Sequence, residues 1–177
     1  MKVLLVFAHP ESRSLSGALR DVAIRELEAQ GHEVRVSDLY AEGWKSEIDR
    51  ADFPSLEPDA RLIPVVASKK GFEANTLTAD VKAEIEKLLW ADTLILQFPL
   101  WWYGPPAILK GWFDRVLTNG FAYGPNGPDT GLPLRYGDGL LTGRRALVIV
   151  TAGEDDRSIG SRGISGDIDQ LLFPLTH

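Results

Sequence analysis

Two adjoining segments decide the fold: Leu94-Ile-Leu-Gln-Phe-Pro-Leu-Trp-Trp-Tyr-Gly104 and Pro105-Pro-Ala-Ile-Leu-Lys-Gly-Trp-Phe-Asp-Arg-Val-Leu117. The first opens with residues that are apolar except for Gln97, the pattern of a strand buried on both faces of a parallel sheet. Pro99 ends this strand, and the paired prolines that follow suit the first turn of a helix. The apolar residues after them recur at helical spacing and predict a helix packed on the sheet. Because ligands of open α/β sheets bind beyond the carboxyl ends of the strands, we expect a flat ligand at the aromatic turn between the two segments.

The composition limits the classes of protein to consider. The chain has 177 residues, of which 44% are hydrophobic, and this suits one domain with a core of useful size. The formal charge of −6 speaks against a large nucleic-acid surface. The absence of cysteine excludes disulfides and thiolate catalysis, and the scattered histidines predict no structural zinc site. Without a recognisable signal peptide or an apolar run of membrane-spanning length, the sequence predicts a cytoplasmic protein.

A strand, a polar loop and a helix follow one another at the start of the chain. Val3 to Ala8 is a short apolar run typical of a buried strand, and the loop from His9 to Ser16 comes next. The apolar residues after it repeat at helical spacing and predict an amphipathic helix that ends near Gln30. The hydroxyls of Ser14 and Ser16 can cap this helix or help to bind a phosphate, and the loop by itself favours the cap. The loop has neither a dinucleotide fingerprint nor a Walker sequence.

The remaining segments continue this alternation. The sequence predicts an edge strand at Glu33 to Leu39, a long aperiodic loop at Tyr40 to Thr76 that could wrap a partner or cover a ligand, and a lid or hairpin at Gly120 to Gly143. Further predictions are a helix on Val81, Ile85, Leu88 and Leu89 with Thr78 as its cap, a buried strand at Ala146 to Val150, and a last helical pattern on Ile164, Ile168, Leu171 and Leu172.

Alternating strands and helices predict a doubly wound parallel sheet with helices on both faces. All loops that connect a strand to the next helix then lie at one end of the sheet. We therefore expect three of them, at His9 to Ser16, Pro99 to Gly104 and Thr151 to Glu154, to converge on one cleft.

Several segments carry a resemblance to a known family. They are Ala8-His-Pro-Glu11, Ser37-Asp-Leu-Tyr-Ala41, Gln97-Phe-Pro-Leu-Trp-Trp-Tyr-Gly104, Pro106-Ala-Ile-Leu-Lys-Gly-Trp-Phe-Asp-Arg115 and Gly120-Phe-Ala-Tyr123. Together they resemble the NAD(P)H:quinone oxidoreductases of the DT-diaphorase family. The resemblance implies a three-layer flavodoxin-like α/β fold, bound FAD rather than FMN, NAD(P)H as co-substrate, a homodimer with sites at the subunit interface, and two-electron reduction of quinones.

The resemblance also implies roles for individual residues. The loop that would hold the pyrophosphate includes His9, Arg13, Ser14, Leu15 and Ser16, although Arg13 is equally readable as a solvated surface charge. The residues that would line the isoalloxazine are Pro99, Leu100, Trp101, Trp102 and Tyr103, and the second flavin loop is Thr151, Ala152 and Gly153. Tyr123 matches a substrate-pocket aromatic that acts across the dimer. Trp112 and Phe113 are expected in the core, and Trp101 could serve packing alone.

The sequence departs from the family in two places. The Tyr and His that other members use to relay charge align with Ile159 and Ser165, and a serine can donate a hydrogen bond but cannot take up a proton near neutral pH. Ser165 and Tyr123 are thus the candidate catalytic residues, with Arg162 as another candidate to stabilise charge. The sequence also stops at His177, before the fifth strand and last helix of the family. We expect one domain over residues 1–177 that lacks this strand and helix. Either a C-terminal segment is missing from the sequence, which we favour, or this is a truncated member in which a partner covers the open sheet edge.

Three other functions fit parts of the pattern. One is the related ancillary subunit of a potassium-efflux transporter, in which the same fold acts mainly as a binding partner. The second is a one-electron carrier that holds FMN, and the third is an α/β domain without flavin. Quinone, nitroaromatic and azo acceptors all suit a flat aromatic slot, and the sequence leaves NADH and NADPH equally open.

Overall fold

The computed structural model describes residues 1–124, 126–127, 131–134, 138–155 and 157–176. Strands and helices alternate along the chain. The strands are β1 (Lys2–Phe7), β2 (Glu33–Asp38), β3 (Thr93–Pro99) and β4 (Arg145–Thr151). The helices are α1 (Leu15–Ala29), α2 (Pro64–Glu73), α3 (Ala79–Trp90), α4 (Ala107–Val116), α5 (Ile168–Leu171) and α6 (Phe173–Thr176), with a 3₁₀ turn at Arg50–Asp52. No helix within these described ranges is long and apolar enough to cross a membrane.

The strands form a parallel sheet in the order β2-β1-β3-β4. Val3 of β1 pairs with Val34 on one side and Thr93 on the other, so β1 and β3 are central and β2 lies at an edge, as predicted. Helices cover both faces, which confirms the doubly wound three-layer α/β fold.

The alternation of side chains along β1 builds two apolar layers. Leu4 and Val6 pack with residues of α3 and α4 on one face, whereas Leu5 and Phe7 pack against α1 on the other. Successive side chains of a strand point to opposite sides, so each face of β1 contributes to one of these two layers. The apolar run at the start of the chain is therefore a buried central strand.

Strand β4 differs from its prediction. Its run Ala146 to Val150 was expected to be buried, but Leu147 is half-exposed and none of its residues is fully buried. Among the described residues β4 pairs only with β3, so its other edge and part of its face meet solvent. An apolar run indicates which side chains of a strand can be buried, but the elements packed beside the strand determine how far they are buried.

The long segment after β2 is ordered and partly helical. The prediction of a loop from Tyr40 to Thr76 was wrong for α2. This helix buries only small side chains (Ala67, Ser68 and Gly71) and exposes Val65 and Val66, so no apolar period appears in its sequence. The aromatic side chains of this segment lie inside the domain: Trp44 and Phe53 are buried, and Phe72 packs against Phe121 with ring centroids 5.6 Å apart.

A buried arginine of α4 fixes this segment to the domain. Arg115 is 3% exposed and donates to Asp52 at 2.9 Å, to Asp80 at 2.6 Å and to the carbonyl of Lys45 at 3.1 Å. Its guanidinium also lies 4.5 Å from the ring centroid of Trp44. One side chain thus joins α3, α4 and the segment that follows β2.

Other helical predictions need smaller corrections. Leu89 of α3 is exposed, and Thr78 is the N-cap residue but makes no side-chain capping bond. Ile164 is almost fully exposed and precedes the last helices, which are two short ones rather than a single element. In the predicted lid, Phe121 is buried and Asn126 bridges Pro133. Tyr136 lies outside the described residues, and the lid itself stays a prediction.

Candidate active site

The loops that follow β1, β3 and β4 meet at one end of the sheet. The buried Gln97 side chain donates from Nε2 to the carbonyl of Ser16 at 2.6 Å. The hydroxyls of Ser16 and Thr151 are 2.7 Å apart, and the Leu100 N–H donates to the Thr151 carbonyl at 2.8 Å. These bonds join the three loops directly, so the prediction that they meet at one end of the sheet is confirmed.

The loop after β1 is held by its own side chains. Ser14 caps α1 by accepting from the Gly17 N–H at 3.1 Å, and this confirms the cap that the loop sequence favoured. Ser16 is buried, and its hydroxyl is hydrogen-bonded to the Thr151 hydroxyl. Arg13 pairs with Glu11, and its hydrogen bonds to that carboxyl lower the pKa of Glu11 below its ordinary value. Arg13 is 88% exposed, so it stands at the surface of the loop.

Close packing at Gly17 shapes this loop into a cradle. A Cβ atom on Gly17 would collide with the carbonyl oxygen of Ser12, so the loop lies directly on the first turn of α1. The first N–H groups of a helix have no partner within the helix, and the helix dipole adds partial positive charge there. This geometry favours a phosphate group of a ligand.

The aromatic turn after β3 has a strained backbone. Trp101 and Gly104 exchange backbone hydrogen bonds at 3.0 and 3.1 Å, and the residues between them, Trp102 and Tyr103, have φ angles of 51° and 60°. Asn and Gly usually occupy such a turn, because bulky side chains at positive φ cost about 1–3 kcal/mol each. In this turn Trp102 is 97% exposed. Strained residues of this kind cluster at binding sites, since the rest of the fold must maintain them.

A cleft of about 260 Å³ opens beside this turn. Its lining residues are Leu100, Trp102, Tyr103, Ala152, Gly153 and Glu154. A methyl group on Gly153 would meet no atom within 4 Å, so the floor of the cleft is open. The Tyr103 hydroxyl lies 3.2 Å from Glu154 Oε1 and 3.2 Å from Ser165 Oγ. The cleft thus has a flat aromatic wall and a polar wall.

These residues fit a flavin. The cradle at Gly17 can take a phosphate, and Trp102 offers an exposed aromatic face for a planar ring. The Gln97 Oε1 atom is buried and has no hydrogen-bond partner among the described residues, so a hydrogen-bond acceptor is available between the cradle and the turn.

The remaining predicted residues do not line the cleft. Tyr123 is 43% exposed and does not line the cleft, so a role in this site would require a second subunit. Trp101 is half-exposed and its ring centroid lies 6.3 Å from that of His9. Trp112 is fully buried and Phe113 half-buried, as expected for core residues. Glu154 was not predicted as a site residue, although its position just after the end of a strand indicates one.

Comparisons with known proteins agree with this geometry. The family model described as "Flavodoxin-like fold" matches residues 1–177. The chain is 54% identical to a "ribosyldihydronicotinamide dehydrogenase-like protein" of Penicillium crustosum, covering 100% of this chain and 67% of that protein. It is 40% identical to the "ribosyldihydronicotinamide dehydrogenase [quinone]" of Pongo abelii, over 99% of this chain and 74% of that protein.

Solved structures show the same relationship. A "putative quinone reductase" from Klebsiella pneumoniae superposes with a TM-score of 0.94 at 53% identity, over 100% of this chain and 69% of that one. A "general stress protein 14" from Treponema denticola, solved in complex with FMN, gives a TM-score of 0.63 at 26% identity over 98% of this chain and 75% of that one. The chain therefore belongs to the flavodoxin-like family of NAD(P)H:quinone oxidoreductases.

Proposed function

We propose that this chain is a flavin-dependent oxidoreductase that moves two electrons from a dihydronicotinamide to a quinone or a similar flat acceptor. The observation that carries the proposal is the exposed, strained aromatic turn at Trp102 and Tyr103, set beside the phosphate cradle of Gly17. When bound, the flavin supplies a carrier that takes a hydride from the reductant and passes it to the acceptor.

The residues of this chain bind and orient the reactants. The N-terminus of α1 and the loop from His9 to Ser16 would hold the pyrophosphate, and Trp102 with Tyr103 would form the wall of the ring pocket. The loop Thr151 to Gly153 would provide the opposite edge. The nicotinamide and the acceptor would use the same planar slot beside Trp102 and Tyr103, so the oxidised nicotinamide must leave before the acceptor binds. The expected steady-state kinetics are therefore ping-pong.

The cofactor is proposed to be FAD, as the resemblance implies, and FMN is the alternative to test. The visible absorption spectrum of the purified protein, followed by chromatography of what heat releases, decides between them. A flavin band with FAD in the supernatant supports the proposal. FMN in the supernatant would show that the cofactor is FMN and would leave the proposed reaction unchanged. A colourless protein that takes up neither flavin would overturn the proposed function.

The reductant is proposed to include dihydronicotinamide ribosides that carry no phosphate. Two relatives are named for ribosyldihydronicotinamide, and the described cleft lining contains the Glu154 carboxylate and no basic side chain. A phosphate tail thus gains no opposite charge from this lining. Initial rates with N-ribosyldihydronicotinamide, NADH and NADPH at one acceptor concentration test whether the phosphate-free riboside is used at least as fast as NADPH. Faster turnover with NADPH than with the riboside would contradict it.

Several finer points remain proposals. We propose a homodimer, supported by the resemblance and by the exposed apolar group Ile63, Val65 and Val66 at the start of α2. Tyr123 would then reach the site of the partner subunit, and Ser165 would act within its own subunit. The cytoplasmic location is also proposed. The relatives reported above are named as oxidoreductases and give no support to the alternative of a potassium-efflux subunit.

A further inference from the structure

Three groups that can hold or pass a proton meet at the polar wall of the cleft. The Tyr103 hydroxyl lies 3.2 Å from both Glu154 Oε1 and Ser165 Oγ. A phenol carries one proton, so when Tyr103 donates to an ionised Glu154, Ser165 must be the donor to Tyr103. Protonation of Glu154 reverses the direction: the carboxyl donates to the phenol oxygen, and the phenol proton becomes available to another acceptor. Because Tyr103 and Glu154 both line the cleft, that acceptor can be a bound substrate.

The proposed reaction needs such a proton. Reduction of a quinone to a hydroquinone consumes one hydride and one further proton. The dihydronicotinamide supplies the hydride and is oxidised, so the additional proton must come from a side chain or from water. Among the described residues that line the cleft, only Tyr103 and Glu154 have side chains that can supply it.

We propose that Tyr103 and Glu154 form a proton relay that protonates the acceptor oxygen, an inference that rests on the proposed function. The Tyr103 O–H bond breaks as an O–H bond forms on the acceptor oxygen. The phenol oxygen takes the proton of the Glu154 carboxyl in the same step, so no phenolate is left. Glu154 is exposed and recovers a proton from water. Ser165 is a positioning residue, because its hydroxyl holds the phenol toward Glu154.

The phenol stands on the strained turn after β3, and the carboxyl stands on the loop after β4. Other charged or titratable groups lie on the segments around it. They are Asp155, Arg157 and Arg162 on the loop after β4, His9 on the loop after β1, and Lys110 on α4, which is paired with Asp114.

The test separates the two half-reactions by anaerobic stopped flow, using the flavin-loaded protein. The variants are Tyr103→Phe, Glu154→Gln and Ser165→Ala, and Tyr40→Phe is a matched control that removes a phenol beyond β2. Loss of visible absorbance follows oxidation of the dihydronicotinamide, and its return follows reduction of a benzoquinone. Tyr103→Phe and Glu154→Gln should slow the second rate about a hundredfold, the usual contribution of general acid catalysis, and should slow the first rate far less.

The dependence on pH adds a readout that a structural role would not move. In the unaltered protein the rate of quinone reduction should fall as the pH rises, because Glu154 must be protonated before the phenol can be resupplied. Glu154→Gln should remove this fall, and Ser165→Ala should keep it with a smaller loss of rate. A pH profile that Glu154→Gln leaves unchanged would overturn the relay.

Binding of an aromatic ketone that is not reduced tests the contact without turnover. Calorimetry with flavone and the flavin-loaded protein should show a dissociation constant about tenfold higher in Tyr103→Phe, because one hydrogen bond to the carbonyl is lost. Equal affinity, or second half-reactions of equal rate, would overturn the inference and leave the proposed function intact. Failure of the unaltered protein to oxidise any dihydronicotinamide would overturn both.

Discussion

Trp102 and Tyr103 show how much of this site depends on backbone conformation. Both residues have positive φ, which bulky side chains avoid, and Trp102 is almost completely exposed. The sequence predicted the aromatic turn correctly because prolines bound it on both sides. It could not predict the left-handed conformation, since the tight turn is maintained by hydrogen bonds to other loops, such as that from Leu100 to Thr151.

The Gly17→Ala variant should bind flavin at least about tenfold more weakly, because the methyl group collides with the Ser12 carbonyl and pushes the phosphate cradle open. Fluorescence titration of the flavin-free protein with FAD and with FMN measures the dissociation constants. Ala18→Ser changes the next residue of the same helix, which is exposed, and serves as the control. Equal affinity in Gly17→Ala and the unaltered protein would show that the cradle does not contact the cofactor.

At the scale of elements, the attachment of the long segment after β2 rests on a buried ion pair. Replacement of Arg115 by Met should lower the free energy of unfolding by about 3 kcal/mol, because the buried carboxylate of Asp52 then loses its buried partner, although it keeps the ion pair with Lys45 at 3.2 Å. Lys110→Met on the same helix removes an exposed pair with Asp114 and should cost no more than about 0.5 kcal/mol. Urea unfolding of both variants measures the difference, and equal losses would contradict the assigned role of Arg115.

The same ion-pair network makes stability depend on pH. Burial pulls the pKa of Asp80 upward, but the hydrogen bond and charge of Arg115, with other hydrogen bonds, outweigh it and hold the pKa below the ordinary 3.8. A lowered pKa in the folded state means that the stabilisation is complete above the unfolded value and is lost as the pH falls through the folded value. Urea unfolding at a series of acidic pH values should therefore show a steeper loss below pH 3.8 for the unaltered protein than for Asp80→Asn. Identical slopes would exclude this contribution.

The elements also show where pattern reading works. β1 and β3 were predicted because both of their faces are buried, so their apolar runs are continuous. α2 was missed because close packing favours small residues on its buried side. The exposure of β4 and the buried Arg115 follow from which segments become neighbours in space. A one-dimensional pattern does not contain that information.

For the whole molecule, the proposed homodimer gives a further prediction. Ile63, Val65 and Val66 are each exposed by 43–45%, and burial of such side chains is the expected driving force of a subunit interface. Val66→Lys should convert a dimer into monomers in sedimentation equilibrium, because it places a charge in that interface. Leu19→Lys changes a similarly exposed residue on α1 and should leave the dimer intact. A monomeric unaltered protein would remove the dimer from the proposed function.

The sequence by itself determined the doubly wound parallel sheet, the family and the three loops that meet at one end of the sheet, because strand and helix periods and the motif from Gln97 to Arg115 are local properties of the chain. Only the tertiary structure decided that Ser16 bonds to Thr151, that Arg115 joins Asp52 to Asp80, and that the Tyr103 hydroxyl lies between Glu154 and Ser165. The partners in these contacts are between 35 and 135 residues apart in the chain. Hydrogen bonds over such separations arise only when the sheet brings its loops to one edge, so their chemistry is a property of the fold.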